Sequence, residues 1–289
     1  MTTAATEDLW AAWLRRRRDS ASEAVRRAML ERLAPVRDRV LDAAAVGPGD
    51  VVLDVGCGDG LVGLGALERG ADVVFSDVSE ACLDDCRAVA GDRARYLLAS
   101  ATDLGDLDVD VVTTRSVLIY VADKRAAFAE FFRVLRQGGR LSIFEPINSF
   151  GVEERRRTYG GFDVAGVEQL MLRVMAEFDR VQAEAGGLEA MVDFDEYDLF
   201  AAAESAGFAD ITLETIVELK QEPMFPVADW SLFLASSPNP LAPTFGEAMA
   251  AALDDAERTR LEAALRPQVE GGTGTTRVAK AFLVARKGA

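Results

Sequence analysis

The chain has 289 residues, 49% hydrophobic and 28% charged, an ordinary globular composition with enough length to bury a full core. Its formal net charge of -16 makes nucleic acid and anionic lipid poor partners. It contains no histidine, which excludes an imidazole base, a His-ligated metal and a Ser-His-Asp triad.

The opening MTTAATEDLW lacks the basic start and apolar centre of a signal peptide, and no apolar run reaches the ~18 residues of a membrane span, so a cytoplasmic location is expected. Two arginine-rich helices are expected at about Glu7–Arg18 and Ala21–Ala45, their arginines balanced by acidic residues as on solvated helix faces. Short apolar runs then alternate with helical patterns. Strands are expected at Val51–Val55, Asp72–Ser76, Ala94–Ala99, Asp110–Thr114 and Arg140–Phe144, with helices at Leu61–Arg69, Ser79–Ala90 and Asp123–Arg136. In the last of these helices Asp123 caps the first turn, Phe128, Phe131, Phe132 and Leu135 form one stripe, and Gly138 with Gly139 are the expected stop. This alternation predicts an α/β fold with a parallel sheet covered on both faces.

After the fifth strand the rhythm breaks. An amphipathic helix carries Val164, Val167, Leu170, Met171, Val174, Met175, Phe178 and Val181 on one face, and a helix follows at about Asp195–Ala206. A strand at Ile211–Leu219, two further helices to about Glu270 and a closing strand in TTRVAKAFLVARK complete the chain. The three cysteines, Cys57, Cys82 and Cys86, form neither a disulfide framework nor a usual zinc spacing and read as buried small hydrophobes; no metal is expected.

The stretch VVLDVGCGDGLVG holds the chemistry. Gly58, Gly60 and Gly63 spell the GxGxxG of a dinucleotide turn, but that turn starts at the strand end, where Gly56 stands; counted from Gly56, the third glycine position holds Leu61. No GK[ST] follows for a phosphate loop. Read from Asp54 the residues form DxGxGxG, and a carboxylate inside that strand must be satisfied by loop amides or by a cationic ligand. Asp77 ends the second strand, where an acidic side chain can take both ribose hydroxyls, and Asp103 follows the third, placed to accept from an adenine amino group.

VLDVGCGDG, FSDVS, ASATDL, VDVVTTRSVLIYVAD and VLRQGGRLSIFEP, in unbroken order over roughly residues 45–146, resemble the class I S-adenosylmethionine-dependent methyltransferases of small-molecule type. The resemblance implies a Rossmann-like seven-stranded sheet, mostly parallel with the last strand reversed. It implies S-adenosylmethionine as cofactor and S-adenosylhomocysteine as product. Asp54, Gly56, Cys57 and Gly58 would form the cofactor loop and Asp77 with Val78 the ribose side. Ala101, Thr102 and Asp103 would meet the adenine, and Arg115 with Ser116 the methionyl portion. It also implies a helical cap over residues 1–46, then a methyltransferase domain over 47–289 with substrate-side insertions at about 147–192 and 221–272.

The histidine pair that many such enzymes carry after the fourth strand is replaced here by Leu118, Ile119, Tyr120, Val121 and Ala122, so no His-base mechanism transfers. Tyr120 is the expected group facing the methyl, as hydrogen-bond donor, sulfonium contact or base, with plain packing as its other reading. Glu145 is the best-placed carboxylate to take a proton or stabilise a cationic substrate, unless it serves only to satisfy loop amides. Met171, Met175 and Tyr159 are expected on the acceptor side, in a lid or in plain core. The expected function is methyl transfer to a small apolar or aromatic metabolite of specialised metabolism. A quinone-type C-methyltransferase, a non-catalytic nucleoside-binding module and a nicotinamide oxidoreductase are the alternatives. A homodimer is left open, and no nucleic acid or membrane partner is expected.

Overall fold

A computed structural model describes residues 8–151, 157–186 and 188–288. In chain order its elements are α1 (Leu9–Ala12), which widens into a π-turn over Trp13–Arg18, α2 (Glu23–Ala43), β1 (Val51–Val55), α3 (Leu61–Glu68), β2 (Asp72–Asp77), α4 (Glu80–Ala90), β3 (Ala94–Leu98), β4 (Val109–Arg115), α5 (Lys124–Val134), β5 (Leu135–Pro146), β6 (Thr158–Tyr159), β7 (Phe162–Asp163), α6 (Glu168–Glu184), α7 (Leu188–Val192), α8 (Glu196–Ala206), β8 (Phe208–Lys220), α9 (Trp230–Ala235), α10 (Phe245–Ala252), α11 (Asp255–Glu270) and β9 (Thr276–Lys287). The expected start of the first helix at Glu7 lies outside the described residues.

The main sheet has seven strands in the order β3-β2-β1-β4-β5-β9-β8. Parallel pairing runs from β3 to β5, and β9 reverses against β5. This is the Rossmann-like sheet with a reversed closing strand. Side chains alternate between its faces. Leu53, Val55, Val74 and Val112 pack with Phe128, Phe131, Leu199 and Ala203 of α5 and α8. Val52, Val73, Phe75 and Val111 pack with Leu41, Val62, Ala66 and Leu83 of α2, α3 and α4.

Chain contacts divide the molecule into two compact units. Among the described residues, the sheet-bearing unit falls within Glu31–Ser149, Ala190–Val217 and Ala279–Ala289, and the other within Met1–Leu30, Phe150–Glu189 and Glu218–Val278. The second unit has its own core of Phe162, Val174, Phe178, Trp230, Phe233, Phe245, Leu261 and Leu265.

The elements differ from expectation most clearly in two places. Helix α5 is capped by Asp123 as expected, but it stops at Val134 because Leu135 is already paired with Val109 in the sheet. Gly138 and Gly139 therefore mark the irregularity where the register shifts between Val109 and Val111, and Gly138 takes φ +75° there. Before α11 there are two short helices, α9 and α10, rather than one.

Gly63 shows how α3 is seated. A Cβ there would lie 2.3 Å from the Phe75 ring, so α3 approaches β2 only because position 63 has no side chain. Gly63→Ala is expected to destabilise the fold by about 1–3 kcal/mol through overpacking, read by urea denaturation; an unchanged midpoint would show that the ring moves aside freely.

Candidate active site

At the carboxyl ends of β1, β2 and β5 stand three buried carboxylates, and each is held by backbone amides. Asp54 Oδ2 accepts from Gly63 N at 2.8 Å, and the Thr113 hydroxyl donates to Oδ1 at 3.4 Å. Asp77 Oδ2 accepts from Gly58 N and Oδ1 from Ser79 N, both at 2.9 Å. Glu145 Oε1 accepts from Val117 N and Leu118 N, both at 2.9 Å, and Oε2 from Ile119 N at 3.3 Å. The loops following β1, β2 and β4 are thereby fixed by acids on the strands.

The glycine loop is built for close approach. Gly56 and Gly58 have φ of +64° and +54°, a region that a side chain strains. A Cβ on Gly56 would also lie 2.5 Å from Val117 Cγ2. Beside it Asp77 is buried while its neighbour Val78 is 55% exposed, an apolar side chain left next to the carboxylate expected to face a ribose. Ala101 is buried, the Thr102 and Ser100 hydroxyls share a hydrogen bond at 3.0 Å, and Asp103 is exposed.

Arg115 ends β4 half-buried, and among the described residues its guanidinium makes no hydrogen bond or ion pair. Its charge is felt by Asp54, Glu145 and Tyr120. A guanidinium in that position suits an anionic group brought by a ligand. Ser116, next in the chain, has φ +58° and donates its amide to Phe144 O at 2.9 Å.

Burial pushes the carboxyls of Asp54 and Glu145 up to about 7 despite their amide donors and Arg115. Burial and the charge of Glu145 raise the Tyr120 phenol, so a hydrogen-bond donor fits that side chain better than a base. Glu145, with its oxygens on three amides, fits the loop-satisfying of its two expected roles.

On the acceptor side the expected residues separate. Met171 is buried in the core of its own unit and so is packing rather than an exposed wall, while Met175 lies partly buried at the margin of the same core. Tyr159 stacks on Phe178 at 5.9 Å and meets Phe245 at 5.1 Å. Sequence reasoning missed Val117, which abuts Gly56, because a valine in an apolar run carries no signal of its own. It also gave no sign that Cys57 and Cys86 meet, their sulfurs 3.7 Å apart. The Cys86 thiol and burial together push the Cys57 thiol far up, so it stays protonated.

A model of a methyltransferase domain family matches residues 53–143. The tRNA 5-carboxymethoxyuridine methyltransferase of Escherichia coli is 33% identical over 135 residues, 44% of this chain and 51% of that protein. This chain thus spans about half the length of that relative. The demethylmenaquinone methyltransferase of Clavibacter sepedonicus is 32% identical over 179 residues, 60% of this chain and 72% of that protein. The chain belongs to the class I S-adenosylmethionine-dependent methyltransferases. S-adenosylmethionine is the cofactor this membership brings. Among solved structures, this methyltransferase shares its fold with phosphoethanolamine N-methyltransferase 2 of Haemonchus contortus, at 16% identity and TM-score 0.51 over 88% of this chain and 53% of that one.

Folded values near 7 against ordinary values of 3.8 and 4.5 give the apo-methyltransferase a distinctive pH response. Between those limits the folded chain holds protons on Asp54 and Glu145 that the unfolded chain has released, so stability is greatest at the acid end and lost as pH rises through about 7. Melting temperature is expected to fall from about pH 5 to about pH 7.5, with a shallower slope in Asp54→Asn; a rise over that interval would contradict the burial of these groups as acids.

Proposed function

We propose that this chain catalyses methyl transfer from S-adenosylmethionine to a small apolar or aromatic metabolite in the cytoplasm, as a step of specialised metabolism. When bound, the cofactor supplies a sulfonium-activated methyl group, an electrophile that needs little covalent help. The observation that carries the reading is the Arg115 guanidinium, which has no hydrogen-bond or ion-pair partner among the described residues, set on β4, two strands from Asp77 at the end of β2. One group suits an amino-acid carboxylate and the other a ribose, with the open backbone of Gly56 and Gly58 between them. Asp103, Thr102, Ala101 and Val78 are assigned to the adenine end, Cys57 to the loop itself and Ser116 to the methionyl end.

In-line placement and exclusion of water are the contributions asked of the protein, with Tyr120 as donor near the transferred group. A tRNA acceptor, as in the name of the E. coli relative, is disfavoured by the net charge of -16. A quinone-type C-methylation is the second reading, supported by the greater span of alignment with the demethylmenaquinone enzyme.

Transfer of labelled methyl from S-adenosylmethionine is expected to phenolic, naphthoquinol or other flat apolar acceptors, and not to bulk tRNA; label on tRNA alone would overturn the small-molecule assignment. Asp77→Ala should weaken S-adenosylmethionine binding about tenfold or more through the lost charged hydrogen bonds, with the fold kept by circular dichroism. Unchanged affinity in calorimetry would remove Asp77 from the ribose.

A further inference from the structure

The order β3-β2-β1-β4-β5 sets out the loops at the carboxyl ends of the strands. Asp103 and Asp77 come first, the glycine turn follows, and Arg115 to Tyr120 and then Glu145 lie beyond it. If the adenosine end of the cofactor lies over β3 and β2, its methionyl end lies over β1 and β4. This placement rests on the proposed function.

We propose that Glu145 and Val117 are positioning residues for the methionyl end: Glu145 fixes the loop after β4, and Val117 carries that fixation to the glycine turn.

Three successive amides, of Val117, Leu118 and Ile119, point to the Glu145 carboxylate at 2.9, 2.9 and 3.3 Å. They open a single helical turn, Leu118–Tyr120, whose first amides have no partner within the turn itself. Two oxygens with several lone pairs can accept all three, whereas a hydroxyl or one carbonyl cannot. The residue just before them, Ser116, takes the left-handed φ of +58°, a conformation that persists only where neighbours hold it. Its amide is bound by Phe144 O at 2.9 Å, so two adjacent residues of β5 grip consecutive amides of the loop.

The grip passes on through Val117. Its Cγ2 occupies the space into which a Gly56 Cβ would project, at 2.5 Å, so a shift of the loop is felt at Gly56. Asp77 is anchored through Ser79 N as well as Gly58 N, and Asp103 lies in a turn closed by its own amide to Ser100 O at 3.0 Å. The adenosine end thus has supports that do not run through Glu145. Glu145 also lies close enough to Arg115 for their charges to interact, which ties the same carboxylate to the guanidinium assigned to the cofactor carboxylate.

A general structural role, a proton-accepting role and this positioning role make different demands on two ligands. S-adenosylhomocysteine carries the amino and carboxylate groups of the methionyl end; 5′-methylthioadenosine lacks them and keeps the adenosine. Both are titrated calorimetrically into the wild-type chain, Glu145→Gln and Val117→Ala, and hydrogen exchange is followed at residues 117–119. Glu145→Gln is expected to weaken S-adenosylhomocysteine about tenfold and Val117→Ala about threefold, with 5′-methylthioadenosine within about twofold in both. The three amides are expected to exchange faster in Glu145→Gln.

Equal losses for both ligands would overturn the inference in favour of general structural support, and no loss for either would overturn it in favour of proton acceptance. Should Glu145→Gln fail to fold, the selective loss in Val117→Ala decides alone: present it upholds the inference, absent it overturns it. A wild-type chain that binds neither ligand would sink the cofactor reading along with it, whereas wild-type binding with unselective variants sinks this inference only.

Discussion

Carboxylates buried at the ends of strands and bound to the amides of neighbouring loops set the geometry on which everything else here depends. Asp54 takes Gly63 at the start of α3, Asp77 takes Gly58 of the glycine turn, and Glu145 takes the loop after β4. These loops carry apolar residues into the core, Leu118 and Ile119 among them, but their backbone amides still need acceptors, and the carboxyl groups on the strands supply them. The cost is desolvation, visible in the raised values of Asp54 and Glu145. That cost is tolerable because the amides would otherwise be unpaired themselves.

Much of this frame was legible in the sequence. Strand β1 was readable to the residue, and the reversed closing strand followed from the resemblance of five ordered motifs. Asp54 within an apolar strand announced a buried carboxylate needing partners, and loop amides were one of the two partner types foreseen. What the sequence could not carry was long-range pairing. Nothing at Val117 separates it from the valines around it, and its contact with Gly56 exists only once β1 and β4 pair side by side. The approach of Cys57 to Cys86 arises in the same way, from packing α4 on the face of the sheet that carries the glycine turn. Gly138 and Gly139 misled for a related reason: a glycine pair stops a helix and bends a strand equally well, and pairing with Val109 decides which.

The acceptor side is where local pattern carried least. An amphipathic stripe states that a helix buries one face and leaves open what it buries it against. Met171 is spent in its own unit's core, beside aromatic rings that pack chiefly on one another. The cofactor half of the function therefore rests on charge and backbone geometry, whereas the choice of acceptor rests on the acidic surface and on likeness to relatives.

The most direct test of the central claim is calorimetric titration of the ligand-stripped chain with S-adenosylmethionine and, separately, with NAD. The arrangement of Asp77, Gly56, Gly58 and Arg115 predicts saturable one-to-one binding of the sulfonium nucleoside and none of the dinucleotide. Binding of NAD with no response to S-adenosylmethionine would contradict it and return the glycine turn to the oxidoreductase reading.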